Sequence, residues 1–179
     1  MPYATPDQLE DGLYHIRAAP ADAGRLELIV RRPAVDEREV LDEGTLDPSV
    51  GLDGDTWLQR ERRDGPPAVD RQITVMNARV AALVAQSPDR WALAGDQLYV
   101  DLDISHDNLP AGTQLEIGTA VIEVTPEPHL GCAKFRSRFG PDALRFVNSP
   151  VGRALRLRGL NARIVVPGTV RPGDVVRKR

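Results

Sequence analysis

The chain has 179 residues, enough for one domain with a full core and few for two. Its single cysteine rules out an internal disulfide and a zinc site built on paired cysteines. The net charge is −3, residues 1–10 are neither basic nor apolar, and no stretch approaches ~18 uninterrupted apolar residues, so a soluble, cytoplasmic protein is expected and a membrane-spanning one is not.

Thr5 to Arg17 predicts an amphipathic helix, with Leu9, Leu13 and Ile16 at helical spacing behind a Thr5 cap and Pro6. Gly24 introduces a strand in which Leu26, Leu28 and Val30 alternate with Glu27, Ile29 and Arg31 until Pro33 closes it. Residues 34–50 are acidic and turn-rich, which predicts an irregular connection. The stretch Gly51-Leu-Asp-Gly-Asp55 reads as a tight turn leading to Trp57, and Gly65-Pro66-Pro67 as an exposed loop. Gln72 to Met76 predicts a strand, and Asn77 caps a helix carrying Val80, Leu83 and Val84.

Gln97 to Leu102 predicts the next strand, followed by a loop over His106 to Pro110. Gln114–Ile117 and Ala120–Val124, joined by Gly118-Thr119, form a hairpin with a two-residue turn. Pro141 to Val147 suits a short helix with Ala143, Leu144 and Val147 on one side. Ala162 to Val166 is a strand, and Pro172-Gly173 a turn before Val175. Many short strands with few helices place the fold in the α+β or mostly β class, β-barrel-like, and not among doubly wound parallel sheets.

Charge is unevenly spread. Residues 1–70 hold 16 acidic and 8 basic side chains, whereas residues 129–179 hold 12 basic and 2 acidic ones. Arginine's planar fork suits a carboxylate or phosphate, so the basic third points to an anionic ligand. Two other readings stand beside it: a solvated face balancing the acidic half, or a non-enzymatic nucleic-acid-binding module, against which the scarcity of aromatics weighs.

Cys132 opens one basic run of that third. In Cys132-Ala-Lys-Phe-Arg-Ser-Arg-Phe139 a cation follows at every second position, so an extended backbone puts Cys132, Lys134, Arg136 and Arg138 on one face and Phe135 and Phe139 on the other. A thiol beside three cations ionises more readily, and the thiolate is the form that accepts sulfur or ligates a soft metal. The alternative is a small buried hydrophobe without chemistry.

In order and spacing these features resemble the MOSC domain, found at the carboxyl end of molybdenum-cofactor sulfurases and as free-standing proteins. The anchors are Gly54-Asp55, Arg71-Gln72-Ile-Thr, Asn108-Leu109, Gly112 to Gly118, the segment around Cys132 and the final Gly173-Asp174. The resemblance begins near Gly24, leaving residues 1–23 as a helical extension to a domain over residues 24–179. It implies a β-barrel-like fold with a few peripheral helices and a cysteine facing a cationic pocket. It also implies that Cys132 carries sulfur as a persulfide or ligates molybdenum in a pterin cofactor.

On that reading Arg71, Lys134, Arg136 and Arg138 would bind the pterin phosphate or hold the thiolate. Asn108 would touch the pterin edge, Asp55 would orient Arg71 or another donor, and His129 would donate a proton or contact an anion. For Asn108 a loop cap and for His129 a structural turn are the competing roles. Related free-standing proteins are implicated in reducing N-hydroxylated compounds, which here requires an external reductase. The pyridoxal-phosphate domain of the sulfurases has no room in 179 residues. Sulfur would then come from another protein, such as a cysteine desulfurase. A histidine near the first glycine-aspartate turn of some relatives has no match in Gly51–Asp55, and neither His106 nor His129 takes its role.

Overall fold

The computed structural model describes residues 3–59 and 68–179, so the expected loop at Gly65-Pro66-Pro67 lies outside the described residues. The order is α1 (Pro6–Arg17), β1 (Ala23–Arg31), β2 (Glu39–Leu41), β3 (Gly44–Asp47), β4 (Gly51–Leu52), β5 (Ile73–Asn77), α2 (Ala78–Ala85) and β6 (Leu98–Asp101). The hairpin β7 (Gln114–Ile117) and β8 (Ala120–Val124) follows. Then come α3 (Ala133–Asn148), α4 (Pro150–Ala154), β9 (Leu160–Val166), β10 (Gly168–Val170) and β11 (Val175–Lys178).

Seven strands close into a barrel in the order β1, β6, β5, β9, β8, β7, β11, with β11 returning to β1. Every neighbouring pair is antiparallel except β5 and β6, so the barrel is mixed. β2 extends the sheet from the end of β1, and β3, β4 and β10 form a separate three-stranded sheet. Leu46, Leu52 and Val170 from that small sheet join Leu26, Ile29, Val75, Leu98 and Ile122 in the barrel interior. A second apolar layer covers the outside of β1, β5 and β6. There Leu9, Ile16, Val80, Val84, Phe135 and Phe139 pack over Val30, Met76 and Tyr99.

Local chemistry accounts for several elements. Thr5 and Gln8 form a reciprocal cap on α1: the Thr5 hydroxyl accepts from the Gln8 amide at 3.3 Å and the Gln8 side chain accepts from the Thr5 amide at 2.9 Å. Asn77 accepts from the amides of Arg79 and Val80 and donates to the Leu102 carbonyl, tying the start of α2 to the end of β6.

Three expectations require correction. The simple alternation in β1 fails because a bulge between Leu26 and Leu28 shifts its phase, sending Leu26 and Ile29 into the barrel and Val30 out under the helices. Residues 34–50 are not wholly irregular, since they contain β2 and β3. The run after Cys132 is helical, not extended. Phe135, Phe139, Ala143 and Val147 recur every fourth residue and are all buried, which is helical spacing. The short helix expected from Pro141 is the second half of α3. Gly140 breaks the axis at φ 91° and ψ 167°, so Pro141 enters where a missing amide hydrogen costs nothing.

Candidate functional site

Two anchors hold the loop that presents the cysteine. Asn161 on β9 donates to the carbonyls of Glu127 and Pro128, and Asn148 at the end of α3 both accepts from the Gly131 amide and donates to its carbonyl. Cys132 then stands immediately ahead of α3, exposed, with a side chain that caps nothing. It lines a cleft of about 250 Å³ together with Arg32, Arg38, His129, Lys134, Arg138 and Arg158.

Each cation has a distinct footing. Arg32 grips the fully buried Asp55 carboxylate with Nε at 2.8 Å and Nη2 at 2.9 Å, and its Nη1 donates to the Gly95 carbonyl. Arg158 reaches Asp96 at 2.6 Å and the Ala94 carbonyl at 3.0 Å, while its guanidinium lies 5.2 Å from the Phe135 ring centroid. Arg138 donates to the Leu93 carbonyl and shares Asp36 with Lys134, at 3.2 and 3.1 Å. Arg38 makes no ion pair among the described residues, and its Nη1 donates to the Glu37 carbonyl at 2.6 Å. Burial, then the nearby Arg138 and Arg32, lower its pKa from the ordinary value. Among the described residues, five cations therefore meet three carboxylates here, and the Nε atoms of both Arg38 and Arg158 are buried without an acceptor.

His129 bonds through Nε2 to Asp96 at 2.8 Å, so Asp96 sits between the histidine and Arg158. Burial opposes the charge on Asp96, but Arg158 and His129 outweigh it and hold the carboxyl below its usual range. Burial, reinforced by Arg158, lowers the histidine pKa, and the pull of Asp96 does not restore it. A neutral ring facing a carboxylate must carry its hydrogen on Nε2, which leaves Nδ1 as an acceptor.

The structure thus brings Cys132, His129, Lys134 and Arg138 together, and places Asp55 behind the cleft as the partner of Arg32, not of Arg71. The remaining predicted residues lie elsewhere. Arg136 is exposed on α3 and does not line the cleft. Arg71 borders a different surface depression beside Glu127. Asn108 is a loop brace, donating to the carbonyls of Ala21 and Asp103 and accepting from Lys178 at 2.9 Å. Sequence reasoning missed Arg32, Arg38 and Arg158, which come from distant segments. The one local signal was arginine placed just past the β1 hydrophobic run.

The MOSC domain profile matches residues 54–177. Among solved structures, the YuaD protein from Bacillus subtilis superposes with a TM-score of 0.64 at 17% identity, covering 87% of this chain and 95% of that one. YiiM from Escherichia coli gives 0.57 at 20% identity, covering 87% and 69%. A hypothetical protein gives 0.60 at 19% identity, covering 92% and 70%. No curated protein matches. At these identities the structural likeness establishes the fold: a mixed seven-stranded barrel with several helices.

Proposed function

The chain belongs to the MOSC domain family, and from that premise we propose that Cys132 and its cationic cleft bind the molybdenum-pterin cofactor, the thiolate meeting the metal. The observation that carries this reading is an exposed thiol in a cleft where, among the described residues, five cations meet three carboxylates. An excess of positive charge of this kind calls for an anionic occupant. The donor set fits a metal that brings most of its own ligands. Among the described residues no group of three or more His, Cys, Asp or Glu side chains is arranged to hold a metal ion, whereas one soft thiolate suffices to complete a cofactor-borne centre.

In this reading Arg38, Arg158, Arg138 and Lys134 hold the anionic parts of the group, and His129 Nδ1 accepts a hydrogen bond at the cleft wall. Asp55 keeps Arg32 in place. When bound, the group supplies two-electron redox chemistry of the kind that reduces N-hydroxylated compounds, with electrons from an external reductase. The same thiol suits sulfur carriage. Its thiolate attacks the outer sulfur of a donor persulfide, the donor's S–S bond breaks, and the donor leaves as a thiolate while Cys132 becomes the persulfide. A cysteine desulfurase is the class of protein that can supply it.

The alternative, a nucleic-acid-binding module, has less behind it because many of the cations in the basic third are already paired. Arg158, Arg163, Arg171, Lys178 and Arg179 pair with Asp96, Glu123, Glu43, Asp22 and Glu116 from other parts of the chain.

The test is molybdenum and pterin content of protein purified without oxygen from a cofactor-producing host. Near-stoichiometric amounts are expected in the wild type and loss in Cys132→Ala. Equal content in both proteins removes Cys132 as ligand. If the wild type holds neither, mass spectrometry for a persulfide on Cys132 after exposure to a desulfurase decides between sulfur carriage and an inert thiol.

A further inference from the structure

A second cavity, of about 270 Å³, lies across His129 and Arg158 from the cysteine cleft. Its wall includes Arg156, which is 8% exposed and has no carboxylate partner among the described residues. Nη1 of Arg156 donates to the carbonyls of Leu109 at 2.6 Å and Ile104 at 3.3 Å, while Nε and Nη2 find no acceptor among the described residues. Burial alone lowers its pKa, with no neighbouring acid to offset the loss of water. Nε and Nη2 are not among the buried donors left without a partner, so they open onto the cavity, where an anion can replace the water that takes them.

The backbone adds to the puzzle. Arg156 follows α4 with φ 50°. Its amide returns to the Arg153 carbonyl and the Leu157 amide to the Gly152 carbonyl, a helix closure in which this position is usually glycine. A side chain here carries a steric cost, so the guanidinium has a use that outweighs it. Beside it stand Arg153, whose Nε donates to the Asn148 carbonyl, and His106, lowered in pKa by burial and by Arg156. The one carboxylate on the wall, Glu127, is exposed and makes no ion pair with Arg156. Pro126, Pro128 and Leu160 make the remaining wall apolar.

We propose that this cavity is a second ligand site, taking the phosphate or carboxylate group of a small molecule with an apolar body. Arg156 Nε and Nη2 are its principal donors, Arg153 and His106 flank them, and the proline and leucine surfaces hold the body. The volume suits a metabolite at the small end of ligand size. Nothing in this assignment uses the thiol, so it stands apart from the reading of Cys132.

Calorimetric titration of the full chain with phenyl phosphate, benzoate and inorganic phosphate tests it. Single-site binding of phenyl phosphate or benzoate is expected, and whichever binds tighter identifies the headgroup. Arg156→Gln should weaken it about tenfold or more, the scale of a lost charged hydrogen bond, and Arg38→Ala in the cysteine cleft should leave it within about twofold. No binding of any probe at millimolar concentration overturns the proposal, as does binding that follows Arg38 and not Arg156. Inorganic phosphate binding as tightly as phenyl phosphate removes the apolar body. If Arg156→Gln does not fold, Arg153→Ala and His106→Ala take its place, and unchanged affinity in both overturns the site. Molybdenum content should be the same in wild type and Arg156→Gln, which separates failure here from failure at Cys132.

Discussion

Asp55 accepts from three atoms of Arg32, its amide, Nε and Nη2, and from the Trp57 amide, yet its side chain is wholly out of contact with water. Removing one member of a buried pair strands the other, so Asp55→Ala should cost about 3–5 kcal/mol in urea unfolding, and a loss under about 1 kcal/mol would show that the pair contributes little. His129 gives a prediction in pH. Its folded pKa lies below the ordinary 6.5, so below that pH the unfolded chain takes up a proton that the folded chain still refuses. Stability should therefore fall as pH drops through about 6.5, and His106 adds a loss of the same sign. Asp96, held below 3.8, adds another under that value. His129→Gln should flatten the first decline, and a slope identical to wild type would refute this account. The cysteine, the histidine and two of the cleft cations were legible because they lie within ten residues of one another. Asp96 and Arg158 were not, because Asp96 is 33 residues from His129 and 62 from Arg158 and only the closed barrel joins them.

The hairpin β7–β8, the Asn77 cap and the strands β5, β6 and β9 were readable from turn residues and branched side chains. The first half of α3 was not, because two periodicities overlap in it: cations at every second position and apolar residues at every fourth. Burial decides between them, since Phe135 and Phe139 lie 4.9 Å apart, centroid to centroid, inside the outer core. Phe139→Ala should lose about 3–5 kcal/mol and loosen the segment that carries Lys134 and Arg138. Chemical unfolding gives the first, and slower or faster alkylation of Cys132 the second. The bulge in β1 was hidden for a different reason: past it Leu28, Ile29 and Val30 are consecutive apolar residues at least partly buried, so hydrophobicity does not mark the point where the phase changes. Close packing there is also exacting at Gly24, where an added Cβ would come within 1.9 Å of the Asp101 carbonyl oxygen. Gly24→Ala should push β1 from β6 and lower the melting temperature by several degrees, whereas an unchanged value would mean that the strands separate freely.

At the scale of the molecule, charge that is separated along the chain is brought together in space, with acidic residues before Trp57 meeting basic residues after His129. These ion pairs are mostly exposed and salt-screened, so high salt should shift stability only slightly, while the Arg32–Asp55 and Arg158–Asp96 pairs persist. Among the described residues no helix is long and apolar enough to cross a membrane. The pairing of β1 with β11 joins Ala23 to Arg177. During synthesis β1 emerges early, but the strand that seals its open edge is made some 150 residues later. The ring cannot be completed while residues 175–178 are still inside the ribosome. Until then β1 and β7 each expose a row of unpaired backbone groups, the interval in which a nascent chain is most open to chaperones and to misassociation with its neighbours.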